Sequence, residues 1–167
     1  NIAKKNKCIL QIGHLEQFNP AIRKIRKSNC KPQFIEVHRL CQFNPRANDV
    51  DVVLDLMIHD IDIVLSLIDK PIKNIEVSGK KILTKLTDIA NVRIKFEDNI
   101  VANLTASRIS TKNERKMRIF SDSSYYSIDF INNELKQVVK DKKNNFKIND
   151  FSFKKTDVLY EEINNFI

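Results

Sequence analysis

After Pro71 the sequence changes its period. Six segments follow, residues 72–83, 88–98, 99–110, 115–123, 124–131 and 134–140, each with strand-like patterning and each parted from the next by a short polar turn. Strands on such short connections pair antiparallel, because a parallel pairing needs a crossover of a dozen residues or more. The stretch FEDNIVANL reads as a hairpin with Glu97–Asn99 at its tip. An antiparallel sheet with one polar face is stable when helices cover the other. The fold class predicted is therefore α/β (α+β), an open, mainly antiparallel sheet with helices on one face.

The helices must come from before Pro71 and from the end of the chain. Asn19 is a candidate N-cap, and Pro20 suits the first position of the helix that follows. Residues 33–43 have strand chemistry. Alternation places Phe34, Glu36, His38 and Leu40 on one face and Ile35, Val37, Arg39 and Cys41 on the other. A polar loop, NPRANDVDV, leads into a helix over residues 52–68, stopped by Asp69-Lys70-Pro71. Residues 7–12 read as a short buried strand closing at Gly13, residues 141–150 as a polar loop, and DVLYEEINNFI as a last helix.

Composition narrows the function. The 167 residues suffice for one domain with a real core. The net charge is +8, but the 29 basic residues are spread among 21 acidic ones and no nucleic-acid recognition motif accompanies them, so no nucleic-acid partner is expected. No apolar run reaches membrane-spanning length, and no membrane association is expected. Cys8, Cys30 and Cys41 form no C-x-x-C pair, which argues against a disulfide framework and a zinc site and fits a reducing, cytoplasmic setting. The only glycines are Gly13 and Gly79. That excludes both a G-x-G-x-x-G dinucleotide loop and a P-loop from this chain.

The helix over residues 52–68 raises the chemical question. Asp55, His59 and Asp62 are spaced four and three apart and share one face, whereas Asp60 falls off that stripe and is expected at the surface. A neutral imidazole can take a proton from an alcohol, and a carboxylate one turn away can orient it. The same spacing also describes a polar pair that only anchors a helix. A metal site would need a third ligand that the sequence does not offer. Arg39 and Arg46 flank the loop into this helix and suit either bidentate contact with an anion or surface ion pairing. His38 has no evident partner.

Taken together, GHLEQFNPA from Gly13, HRLCQFNPR ending at Arg46, and VVLDLMIHDIDIVLSL from Val52 resemble the glucose–fructose oxidoreductase/inositol dehydrogenase (Gfo/Idh/MocA) family, on the branch acting on UDP-N-acetylhexosamine-type sugars. Such enzymes place a Rossmann domain that binds NAD or NADP before a second domain with an open sheet. The resemblance implies that residues 1–15 are the remnant of a first domain, ending in its last strand, and that residues 16–167 are the substrate-binding and oligomerisation domain. By the same resemblance His59 would be the acid/base at a sugar hydroxyl, and Asp55 would orient it or bind a hydroxyl. Arg39, Arg46, Asn19 and Gln17 would meet a sugar or nucleotide-sugar substrate, and His14 would lie near the nicotinamide. For His14 a structural role, for Asn19 a capping role and for Gln17 a packing role stand beside these. Relatives usually carry Arg where this chain has Gln17, which weakens the case for an anionic sugar group there. The family's lysine, in a Glu-Lys-Pro motif, is not Lys70, which belongs to the helix stop. The expected activity is that of an NAD(P)-dependent oxidoreductase acting on a CH–OH group in the full-length protein, with residues 1–167 inactive alone. A homo-oligomer is expected through the open sheet face, where apolar residues of NVRIKF and NIVANLTA would need cover. The alternative is a non-catalytic, oligomerising remnant of such an enzyme.

Overall fold

The computed structural model describes residues 2–45, 49–140 and 145–167. Among these residues eight strands form one sheet: β1 Pro32–Leu40, β2 Ile72–Lys80, β3 Ile89–Phe96, β4 Val101–Ser107, β5 Glu114–Ser121, β6 Ser124–Asp129, β7 Glu134–Lys140 and β8 Phe146–Ser152. Their order across the sheet is β2-β3-β4-β1-β5-β6-β7-β8. Every neighbouring pair is antiparallel except β1 with β4. The long connection after β1 makes that one parallel pair possible.

Among the described residues four α-helices accompany the sheet, α1 Ile2–Lys5, α2 Pro20–Lys27, α3 Ile58–Leu67 and α4 Val158–Phe166. Asn19 does cap α2, its Oδ1 accepting from the Ala21 amide at 2.9 Å. Ile22 and Ile25 of α2 are fully buried, and its end is tied over the sheet by the Ser28–Tyr126 hydroxyl contact at 3.0 Å. α3 lies over β1 and β4, where Ile35, Val37, Leu104 and Ala106 meet Met57, Ile63 and Val64 in the core.

Several sequence expectations fail for physical reasons. Residues 8–14 form no regular structure, and Ile9, Leu10 and Ile12 are exposed; no strand of the sheet lies beside them to supply the hydrogen bonds a strand requires. The segment read as a loop over 141–150 contains the start of β8, which pairs with β7 from Lys140↔Phe146 to Glu134↔Ser152. Edge pairing outweighs its polar composition there. The helix expected from residue 52 begins as a π-helical turn, Val53–Met57, before α3. Asp51 opens it, its Oδ1 accepting from the amides of Val53 and Leu54.

Asp60 is not at the surface. It continues the buried series Met57, Asp60, Val64 and is 2% exposed. Arg39, on the helix-facing side of β1, makes it a paired charge: Nε and Nη2 donate to the two carboxylate oxygens at 2.7 Å each. The apolar residues of β3 and β4 also lie elsewhere than expected. Val92, Ile94, Ala102 and Leu104 all face the helices and are buried. The opposite face carries polar contacts such as Glu36–Arg118 at 2.8 Å and Arg93–Asn103 at 3.1 Å. The register also aligns an apolar row on that face across six strands: Val101, Phe34, Phe120, Tyr125, Val138 and Ile148.

Removing one partner of a buried pair strands the other. Asp60→Asn is expected to lower stability by about 3–5 kcal/mol in denaturant unfolding at neutral pH. A loss under about 1 kcal/mol would mean that the pair is not what fixes α3 to β1.

Candidate active site

The antiparallel register sets Arg115 of β5 directly beside Arg39 of β1. Both project to the helix side, since Met117 and Ile119 follow Arg115 into the core at period two. Two adjacent guanidinium groups there need carboxylates. Asp60 serves Arg39. Glu16, in a 3₁₀ turn at Leu15–Phe18, accepts from Arg115 Nη2 in a short hydrogen bond and lies 3.7 Å from Arg39 Nη2. The sequence reading names neither Arg115 nor Glu16, and it puts Asp60 at the surface. For Arg115 the signal was a charged residue at an inward position of an alternating strand. For Asp60 it was the three–four spacing with Met57 and Val64.

These groups edge a cavity of about 830 Å³. Asp55 and His59 enter it from the π turn and α3, Asn19 from the cap of α2, and Arg39 and Arg115 from the sheet. Among the described residues, two buried side-chain nitrogens have no hydrogen-bond partner, His59 Nδ1 and Arg115 Nε, and both belong to residues lining this cavity. A buried polar atom without a partner costs about 1–3 kcal/mol, and native structures retain few of them. With Nδ1 enclosed, Nε2 is the ring nitrogen that can meet a ligand.

The electrostatics favour a neutral imidazole. Burial lowers the pKa of His59 below its ordinary value, and Arg39 and Arg115 lower it further against the opposing carboxylates of Glu16 and Asp60. The Cys41 thiol, at the same cavity, is pushed up by burial and then by Asp55, so it is not a thiolate near neutral pH. The expected contact between Asp55 and His59 does not form; no hydrogen bond joins them. The π turn between them widens the helix locally, so a four-residue separation no longer stacks the two side chains as it would in an α-helix. Asp55 can still accept from a ligand hydroxyl.

The remaining candidates separate. Gln17 donates to the Asp62 carboxylate in a short hydrogen bond and also, at 3.3 Å, to its carbonyl, which engages it with α3. His14 and Gln17 line a second, shallower cavity with Asp62 and Glu162, away from His59. Arg46 lies outside the described residues. No metal-binding group of three or more His, Cys, Asp or Glu side chains occurs among the described residues.

A second buried pair, which the sequence reading does not name, anchors the chain ahead of the π turn. Arg108 Nε donates to Asp88 at 3.1 Å, and its other nitrogens reach the carbonyls of Val50 and Thr87 at 2.8 and 3.1 Å. Burial alone would raise the Asp88 pKa; hydrogen bonds from the Thr84 hydroxyl and from the Thr84, Ile82 and Leu83 amides outweigh it and hold the carboxyl well below its usual range. The clamp fixes the chain just before the π turn.

Comparison with known proteins bears on the family and the fold. The profile of the GFO/IDH/MocA C-terminal domain matches residues 31–126. The chain belongs to the Gfo/Idh/MocA family. It is 38% identical over 135 residues to the UDP-N-acetylglucosamine 3-dehydrogenase of Acidithiobacillus ferrooxidans, a match that covers 80% of this chain and 43% of that protein. A crystal structure of the same-named A. ferrooxidans enzyme superposes with a TM-score of 0.90 at 34% identity, covering 99% of this chain and 54% of that one. The chain thus spans about half the length of these relatives. A super-repressor mutant of Gal80p from Saccharomyces cerevisiae shares the fold at 11% identity, with a TM-score of 0.79 over 98% of this chain and 53% of that one.

A dinucleotide cofactor finds no phosphate cradle in these residues. A Cβ at Gly13 would stand 3.0 Å from the Glu162 carboxylate, and Gly79 lies within β2. A pyrophosphate beside Glu162 would meet like charge. Neither glycine therefore offers a place for the phosphates of NAD or NADP.

The depressed pKa of His59 has a pH signature. In the unfolded chain the imidazole takes up a proton near its ordinary 6.5, before the folded form does. Its contribution to stability is therefore complete above that pH and is lost as pH falls toward the folded value. His59→Gln is expected to flatten this part of the stability–pH curve, read from unfolding at several pH values between 5 and 7.5. An NMR titration of wild type should place the His59 midpoint below 6.5; a midpoint above it would refute the charge analysis.

Proposed function

We propose that this chain is the substrate-binding and catalytic half of an NAD(P)-dependent dehydrogenase acting on a nucleotide sugar, with residues 1–15 the end of a first, dinucleotide-binding domain and residues 16–167 the second domain. The observation that carries this reading is the pair of unpartnered nitrogens, on His59 and Arg115, at one cavity. The match to UDP-N-acetylglucosamine 3-dehydrogenase points to the substrate class. In this reading a hydroxyl on the sugar lies against His59. The imidazole, kept neutral by burial and by two flanking arginines, takes the hydroxyl proton as the carbon is oxidised. Asp55 accepts a hydrogen bond from a sugar hydroxyl and Arg39 holds the helix in place. Arg46 and Asn19 remain candidates for further substrate contacts, as does His14 for the approach to the nicotinamide.

The open sheet face serves a second purpose in this proposal, as a pairing surface between copies of the chain. What supports it is the apolar row from Val101 to Ile148, on the face of the sheet away from the core. A non-catalytic domain kept only for such pairing would explain the row, but not the two unpaired nitrogens on the opposite side.

In the full-length protein, His59→Ala is expected to lower kcat by roughly 10²–10⁴-fold with a small change in KM. Asp55→Asn should weaken turnover less. Near-normal kcat in His59→Ala, with an unchanged pH–rate profile, would make His59 a structural residue. Sedimentation at micromolar concentration should show an oligomer that Phe120→Asp shifts toward monomer, and a monomeric wild type would remove the pairing proposal.

A further inference from the structure

Of the two arginines at the cavity, Arg115 is the less used. Of its donors, Nη2 alone has a hydrogen-bond partner, Glu16, and Nε is buried with none. Arg39, its neighbour, is by contrast held by two parallel hydrogen bonds to Asp60, through Nε and Nη2. Arg39, Arg115 and Lys155 line the cavity with Glu16 and Asp55, and Asp60, paired to Arg39, brings the charges into balance. A carboxylate or phosphate entering here would compete with Glu16 for Arg115 and face Asp55 besides. An uncharged oxygen would not, because it needs only a donor.

Resting on the dehydrogenase reading above, we propose that Arg115 is a specificity-determining residue, whose guanidinium, neutralised by Glu16, donates to an uncharged oxygen of the sugar ring, a hydroxyl or an amide carbonyl, beside the hydroxyl that meets His59. Glu16 then acts through Arg115, as the residue that makes the cavity prefer a neutral sugar to one bearing a carboxylate. A planar guanidinium can hold Glu16 with one nitrogen and present others to a ligand; a lysine ammonium is a point charge that cannot do both in this geometry.

The test measures equilibrium binding by calorimetry on the full-length protein carrying this chain, with UDP-N-acetylglucosamine, UDP-glucose and the 6-carboxylate of the first. Arg115→Lys, which keeps the charge opposite Glu16, should raise the Kd for UDP-N-acetylglucosamine about tenfold, the scale of one hydrogen bond lost to a charged donor. If that loss is confined to the acetamido sugar, the oxygen is the amide carbonyl; if UDP-glucose shares it, the oxygen is a hydroxyl. Glu16→Gln frees the positive charge and should move the ratio of affinities toward the 6-carboxylate on the order of tenfold. This variant keeps the test open should Arg115→Lys fail to fold, as judged by its thermal midpoint. A Kd changed less than twofold in a folded Arg115→Lys, or an unmoved ratio in Glu16→Gln, overturns the assignment. His59→Ala in the same preparations separates the two levels. Lost turnover there with unchanged binding in Arg115→Lys sinks only the Arg115 proposal, whereas a wild type that binds none of the sugars sinks the dehydrogenase reading with it.

Discussion

The bidentate contact between Arg39 and Asp60 joins the central strand to the helix that lies across it, and the rest of the site hangs from that joint. Both groups are almost wholly removed from water. Neither could be there alone, because an isolated buried ion is far too costly, and a hydrophobic pair of similar volume could have packed the same space. What the ion pair supplies is direction. Two parallel hydrogen bonds fix the rotation of α3 about its axis as well as its height above β1. His59 precedes Asp60, so the same bonds aim the imidazole at the cavity. They also leave Arg39 close enough to disfavour imidazolium without occupying the histidine.

The other constraint acts one turn earlier. The Arg108–Asp88 clamp bonds the carbonyls of Val50 and Thr87, and Val52 donates to Thr87, so the chain enters the helix at a fixed point. Between this fixed entry and the Arg39–Asp60 joint, Val53–Met57 takes up the mismatch as a π turn. Such turns occur often at functional sites, where they turn a side chain away from its α-helical position. Here the residue affected is Asp55, which leaves His59 and faces the space a ligand would fill.

How much of this was legible in the sequence follows from the range over which each interaction acts. The strands after Pro71, the Asn19 cap and the hairpin tip, where Asp98 and Asn99 both take positive φ, are local and could be read residue by residue. The asymmetry of β1, with Arg39 on the apolar side, was equally plain. What could not be read was the partner. Arg39 and Arg115 are neighbours only because β5 pairs with β1, and Glu16 reaches both from a segment far from either in sequence. Asp60 was misplaced because the polar stripe of Asp55, His59 and Asp62 drew attention from the buried series that Asp60 belongs to. Residues 7–12 misled for the opposite reason: a locally apolar run carries strand propensity, but no neighbouring strand stands beside it in this chain.

The arrangement of charges finally explains why an apolar core would not have sufficed. A cavity lined only by the aliphatic neighbours of His59 would keep the imidazole neutral by desolvation alone, yet offer a sugar no hydrogen bonds, and each hydroxyl brought from water would be left unpaired. Placing bare cations there would satisfy those hydroxyls but would recruit anions first. Pairing each arginine with a carboxylate removes that attraction while leaving guanidinium N–H groups to donate. At this cavity His59 Nε2 and the N–H groups of Arg115 that Glu16 does not hold are left to a ligand, and one carrying both a hydroxyl and an acceptor oxygen is the chemistry that complements them.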